Sequence, residues 1–209
     1  YVNPKAGRVL LKKRRKLVDV ISVSKDGTNV TAEGNIKAEA SGGCGISAND
    51  ESKASVKGDI SADRVSVRTS GKSEVTIEGN SNNTTSQNIY ARGDSTVKVG
   101  GDIHSDNGEG IRAEDDAKVT VDGSLYGGND GIAAWGDGSA DGDNIEIKVG
   151  SDIFGKNAVA DAVDGANIII DGNAKGSRPP KIKTVTFRVR NCYICRSKDL
   201  RGSMRGGVI

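Results

Sequence analysis

Residues 97–103 read V-K-V-G-G-D-I, and the chain repeats this phrase with small changes six more times. Val30 opens V-T-A-E-G-N-I, Ala54 opens A-S-V-K-G-D-I, and Val75 opens V-T-I-E-G-N-S. Val119 opens V-T-V-D-G-S-L, Ile147 opens I-K-V-G-S-D-I, and Ile168 opens I-I-I-D-G-N-A. The fifth position marks the period: Gly34, Gly58, Gly79, Gly101, Gly123, Ser151 and Gly172 follow at steps of 24, 21, 22, 22, 28 and 21 residues. A unit this short cannot bury an apolar face by itself. It must stack on its neighbours, which is the signature of a solenoid.

Within each unit the apolar residues fall two apart, as in Val75/Ile77, Val97/Val99 and Val119/Val121. That is the period of a strand, not of a helix. A further alternating pair follows in most units: Ile46/Ala48, Val65/Val67, Ile89/Ala91, Ile111/Ala113, Ile132/Ala134 and Ala160/Ala162. Two or three short strands per unit, with Gly and Asp/Asn between them, predict an all-β fold. The expected architecture is a single-stranded parallel β-helix, or β-solenoid, of about seven coils of about 22 residues. Parallel crossovers make a right-handed coil the expectation. Stacked at about 4.8 Å, seven coils span about 34 Å. The one long step contains the insertion 136–143, all Gly, Asp, Ser and Ala, which should loop out at a corner and leave the register intact at Ile147.

Composition agrees. Apolar residues make up only 34% and aromatics 3% of the 209 residues, too few for a thick globular core but enough for a thin interior of Val, Ile and Ala. Charge is segregated. Residues 1–24 carry seven Lys/Arg against one Asp, and residues 177–209 carry nine against one. A whole-chain charge of +2, less +6 and +8 for those ends, leaves −12 on residues 25–176. The chain therefore divides into a basic cap or flank (1–27), the solenoid (28–176), and a basic cap strand or tail (177–209). Pro179-Pro180 ends the motif, and Val185/Phe187/Val189 alternate as a capping strand would. The basic stretch 10–16, L-L-K-K-R-R-K, has no interleaved aromatics, so nucleic acid is not the expected partner. No apolar run is long enough to span a membrane. Residue 1 is Tyr, and the chain reads as a piece or mature form of something longer.

Several residues are candidates for function. The corner row Asn35, Asp59, Asn80, Asp102, Ser124, Asp152 and Asn173 alternates carboxylates with neutral acceptors. It is read as a structural turn ladder accepting backbone N–H bonds. Trp135, Tyr126 and Phe154 lie near Asp130 and Asp137. Aromatics beside carboxylates are a common way to hold sugars, so these five form the candidate ligand-binding patch, with Trp135 as cover for a wide corner the alternative. Asp137, Asp141 and Asp143 concentrate oxygen ligands suited to calcium, although no nonapeptide or EF-hand spacing accompanies them. No other cofactor is indicated. Cys192 and Cys195 supply only half of a zinc set, and Cys44 stands alone. The sole histidine, His104, has no evident nucleophile or acid partner in the sequence, so no catalytic residue is assigned. Arg92-Gly93-Asp94 spells an adhesion tripeptide but falls where other coils turn. Asn82 and Asn83 each head an N-x-Thr sequon.

The pattern V-x-V-x-G-D-I … G-I-x-A over residues 28–176 resembles the β-solenoid segments of bacterial secreted and cell-surface proteins, adhesin-like and of the pectate-lyase-like superhelix type. The resemblance implies an extracellular or cell-surface location. It implies a structural or adhesive role with a glycan or host-surface ligand, as a monomer or through end-to-end association. Some members of that group are polysaccharide lyases or hydrolases, so a carbohydrate-active module is the alternative. Architecture by itself decides neither.

Overall fold

The structure is a computed structural model and describes residues 19–25, 27–39, 42–136, 144–163, 165–183 and 186–193. These residues form twenty-two strands and no helix. Each coil supplies three strands. The first carries the V-x-V of the motif: β2 (Asn29–Ala32), β5 (Lys53–Val56), β8 (Glu74–Ile77), β11 (Thr96–Val99), β14 (Lys118–Val121), β17 (Glu146–Val149) and the front of β20 (Asn167–Arg178). The second starts at the residue after Gly-Asp/Asn: β3 (Ile36–Ala38), β6 (Ile60–Ala62), β9 (Ser81–Asn83), β12 (Ile103–Ser105), β15 (Leu125–Gly127), β18 (Ile153–Ala158) and the rear of β20. The third comprises β1 (Asp19–Ser24), β4 (Cys44–Asn49), β7 (Val65–Thr69), β10 (Ile89–Arg92), β13 (Ile111–Glu114), β16 (Ile132–Trp135), β19 (Ala160–Val163) and β21 (Lys181–Lys183). Third strands stack into an eight-stranded sheet. First and second strands form a fourteen-stranded sheet joined through β20. The pairing is parallel, coil on coil, and makes a β-solenoid of about seven turns.

Register follows the motif. Val75, Val97, Val119, Ile147 and Ile168 pair in one file, and Ile77, Val99, Val121, Val149 and Ile170 in the next. All are buried, as are Ile60, Ile103, Leu125 and Ile153 from the second strands. Each such side chain contributes roughly 1.5–3 kcal/mol through removal from water. The outward file Thr31, Ser55, Thr76, Lys98, Thr120, Lys148 and Ile169 runs as the alternation predicts. Across the long step Val119 pairs with Ile147, so the insertion leaves the stack in phase.

The structure departs from the sequence reading at one strand. In β7 it is Val67 and Thr69, not Val65 and Val67, that continue the Ile46/Ala48 file. Val65 pairs with Cys44, and Val65, Val67 and Thr69 are all buried. Thr69 is tolerated inside because its hydroxyl meets that of Ser95 at 2.9 Å. Parallel pairing also continues past Pro179-Pro180. β21 adds to β19, and β22 (Thr186–Cys192) lies along β20, with Phe187 buried against the Ile168 position. At the other end β1, within the basic flank, pairs with β4.

The corner between third and first strands is a pair of left-handed residues. Asp50/Glu51, Gly71/Lys72, Gly93/Asp94 and Asp115/Asp116 all have φ between 44° and 61°. The Arg92-Gly93-Asp94 tripeptide is therefore part of a stacked bend. Gly93 and Asp94 donate their N–H groups to Glu114 and Asp115 carbonyls at 3.2 and 3.1 Å.

Candidate functional site

The row of Asx residues between first and second strands is a hydrogen-bond rail running from coil to coil. Asp59 N–H donates to Asn35 Oδ1 at 2.9 Å, Asn80 N–H to Asp59 Oδ1 at 2.8 Å, and Asp102 N–H to Asn80 Oδ1 at 2.8 Å. Ser124 N–H donates to Asp102 Oδ1 at 2.8 Å, and Asn173 N–H to Asp152 Oδ1 at 2.7 Å. The side chains accept backbone N–H bonds at the turn, as the sequence reading expects, and each donor belongs to the next coil. These bonds also explain the glycine before each ladder residue. A Cβ at Gly58, Gly79, Gly101, Gly123 or Gly172 would fall on the Oδ1 of the coil below, far inside van der Waals contact. Ser151 is the exception in that column. Below it lies Ser124, whose side chain is one bond too short to put an oxygen there. The two departures from the motif compensate each other.

Second strands turn the next residue outward: Asn82, His104, Tyr126, Phe154 and Lys175 follow in register. The rings of His104 and Tyr126 stack at 4.4 Å with 9° between planes, and those of Tyr126 and Phe154 at 5.1 Å and 12°. His104 Nε2 is 2.9 Å from Asp106 Oδ1. Between this aromatic column and the Asx rail lies an open groove of about 740 Å³, walled by Asp102, Asp152, Tyr126 and Phe154, with Lys175 and Tyr193 at one end. Tyr193 is 69% exposed.

The candidate patch divides. Tyr126 and Phe154 line the groove; Trp135 and Asp130 do not. Trp135 ends β16 on the eight-stranded sheet, half-buried, with the Arg112 guanidinium 4.3 Å from its ring centre. That guanidinium also lies 5.5 Å from Tyr90, and Arg68 lies 5.7 Å from the same ring. Glu114 ties the column together, accepting from Tyr90 Oη at 2.8 Å and Arg112 Nε at 2.7 Å. Burial, followed by the bond to Glu114 and its charge, raises the Tyr90 pKa above its ordinary value. Asp130 sits at the bend before β16 and accepts from Ala158 N–H at 3.0 Å. Burial pushes its carboxyl upward, against the pull of that bond.

Asp137, Asp141 and Asp143, the candidate calcium ligands, lie outside the described residues, as does Cys195. Among the described residues no three His, Cys, Asp or Glu side chains are grouped to hold a metal. No helix among them is long and apolar enough to cross a membrane. Of the two neighbouring sequons, Asn82 faces solvent beside the groove. Asn83 is buried, its amide donating to Arg64 and Ser86 carbonyls.

The aromatic column beside the groove is the feature that the sequence reading missed, treating His104 as a lone side chain. Its signal lay one position beyond the motif: D-I-H, S-L-Y and D-I-F at 102–104, 124–126 and 152–154 place three rings in one file. Comparison of the chain with protein-family models, curated proteins and solved structures gives no match.

Proposed function

We propose that this chain is a non-catalytic structural and adhesive segment of a secreted or surface-displayed bacterial protein, a rigid rod whose groove contacts glycans. One observation carries the reading: outward polar groups are spent on neighbouring coils. The Asx rail gives one oxygen per residue to the next backbone N–H. Lys53–Glu74 at 2.7 Å, Lys98–Asp122 at 3.5 Å and Lys148–Asp171 at 3.6 Å also join successive coils. Exposed pairs of this kind contribute at most about 1 kcal/mol each, but they repeat along the rod. Such a surface suits a spacer better than a reaction centre, whose groups converge on one point.

A carbohydrate-active module is the second reading, and the groove favours it. Asp102 and Asp152 face the same space two coils apart, about 10 Å by the stacking distance. That is near the wide end of the separation used by inverting glycosidases. A glycan array, combined with reducing-end assays on neutral and uronate polymers, separates the two. Binding without turnover is the expected result. Turnover overturns the non-catalytic assignment, and neither binding nor turnover leaves the rod without its adhesive role.

A further inference from the structure

The last coil breaks a charge balance that the rest of the rod keeps. Lys53, Lys57, Lys98, Lys118 and Lys148 lie on or just after the first strands, and each meets a carboxylate of the next coil. In β22 the same face carries Arg188 and Arg190. Arg188 continues the file of Lys98 and Lys148 through Ile169. From there the supply of acids stops: residues 172–193 hold six Lys/Arg and no Asp or Glu. Lys175, Arg188 and Arg190 are exposed and have no ion-pair or hydrogen-bond partner among the described residues. They flank the end of the groove. Tyr193 follows Cys192, which pairs with Ala174, so the exposed Tyr193 extends the groove column past Lys175.

We infer that the C-terminal end of the groove anchors an acidic glycan, whose uronate carboxylates take the place that an Asp or Glu of a further coil would hold. The inference rests on the glycan-contacting reading above and deepens it. A second copy of the chain fits this end poorly. Val30, Ile36 and Phe187 of the two end coils are already buried, and both ends carry an excess of Lys/Arg. Stacking copies end to end would bury little apolar surface and bring like charges together. Residue type points to a carboxylate. The five paired cations are all Lys, whereas the two without partners on this face are Arg, whose planar fork holds a carboxylate through two parallel N–H bonds. Tyr193 adds an apolar ring and a hydroxyl suited to a sugar. One exposed ring among these cations offers too little stacking for a nucleic-acid strand. Farther down the groove Asp102 and Asp152 repel an acid and confine it to this end.

The test is calorimetric titration of the whole chain with hexagalacturonate, with cellohexaose as the neutral arm and oligothymidylate as the nucleic-acid arm. Hexagalacturonate should bind about tenfold or more tighter than cellohexaose, and added salt should weaken it. R188Q/R190Q should lower its affinity about tenfold or more and leave the melting temperature unchanged, because neither side chain has a partner among the described residues. R188K/R190K keeps the charge, loses the fork and should fall between. R14Q/R15Q, in the N-terminal basic flank, should bind as the wild type does. Hexagalacturonate that binds no better than cellohexaose, or equally well in R188Q/R190Q, overturns the inference. So does an equal loss in R14Q/R15Q, which is what net charge alone would give. Oligothymidylate that binds tighter than hexagalacturonate overturns it in favour of a nucleic-acid site. Array binding confined to neutral glycans and indifferent to R188Q/R190Q overturns the anchor while leaving the adhesive reading in place. No array binding at all removes both.

Discussion

On the groove face three rings stack on one another, His104, Tyr126 and Phe154; on the eight-stranded sheet rings alternate with cations, Arg68, Tyr90, Arg112 and Trp135. Both columns have one cause. Parallel in-register coils bring equivalent positions to about the strand spacing, so each outward side chain has its counterpart directly above and below. A planar group in such a column turns its faces to its neighbours. What differs is what remains for a ligand. The homotypic column leaves ring edges beside a polar rail and a groove. The alternating column is closed on itself: Tyr90 has a guanidinium on each face, and Glu114 takes up both its hydroxyl and the Arg112 charge. A ring flanked on both sides in such a column, as Tyr126 is, keeps only its edge free, whereas Trp135 is held against Arg112.

The largest effect should come from the backbone beneath the groove. Gly123→Ala would drive a Cβ onto Asp102 Oδ1 and against the Gly101 carbonyl at 2.7 Å. Neither can retreat without breaking the rail, so a loss of about 3 kcal/mol is expected, seen as a fall of roughly 6–12 °C in melting temperature. Gly93→Ala, at the corner next to the alternating column, is the control. Its nearest contact is Gly71 N at 3.5 Å, and only its φ of 58° opposes a side chain. That should cost about 1 kcal/mol. Equal losses would show that the rail does not constrain the glycine column.

The two columns themselves should differ less, but in a definite order. Arg112→Ala removes a cation from between two rings and takes a donor from half-buried Glu114, about 2 kcal/mol together. Phe154→Ala ends a stack at its last ring and frees one face of Tyr126, about 1 kcal/mol. Urea denaturation of both variants reads the order directly. A larger loss for Phe154→Ala would make the groove column the structural one and reverse the assignment of roles.

The fold was legible in the sequence because its signals are local and repeated. V-x-V alternation fixes which side chains face inward, and seven copies fix the stacking. Where a single coil departs, the sequence is ambiguous: Val65, Val67 and Thr69 offer two alternating pairs, and only pairing with Ile46 and Ala48 selects between them. The groove was half legible. Tyr126 and Phe154 stand out as aromatics, but Trp135 is equally near in the sequence, and distance along the chain within a coil does not show which of three faces a residue occupies. Register does, and counting from each glycine marker places Trp135 on a different face from Tyr126. The compensation of Ser124 by Ser151 was on the page as two deviations 27 positions apart. Their relation becomes physical only when an Oδ1 is seen against each neighbouring glycine.

The smallest effect isolates a single hydroxyl of the closed column. Tyr90→Phe keeps the ring between Arg68 and Arg112 and deletes only the bond to Glu114. At neutral pH it should cost about 1 kcal/mol or less, since the site is partly exposed. The pH dependence identifies the cause. Tyr90 holds its proton more tightly in the folded chain than at the ordinary value of 10.0, so its contribution is complete below pH 10.0. It declines as the pH rises from there through the higher folded value, because the unfolded chain ionises first. The stability difference between wild type and Tyr90→Phe should therefore be flat from about pH 6 to 9 and shrink above pH 10.0. The other titrating groups are common to both proteins and cancel in that difference. A difference that persists unchanged into strong alkali would mean that the hydroxyl contributes by packing alone, and that Glu114 holds the column through Arg112 without Tyr90.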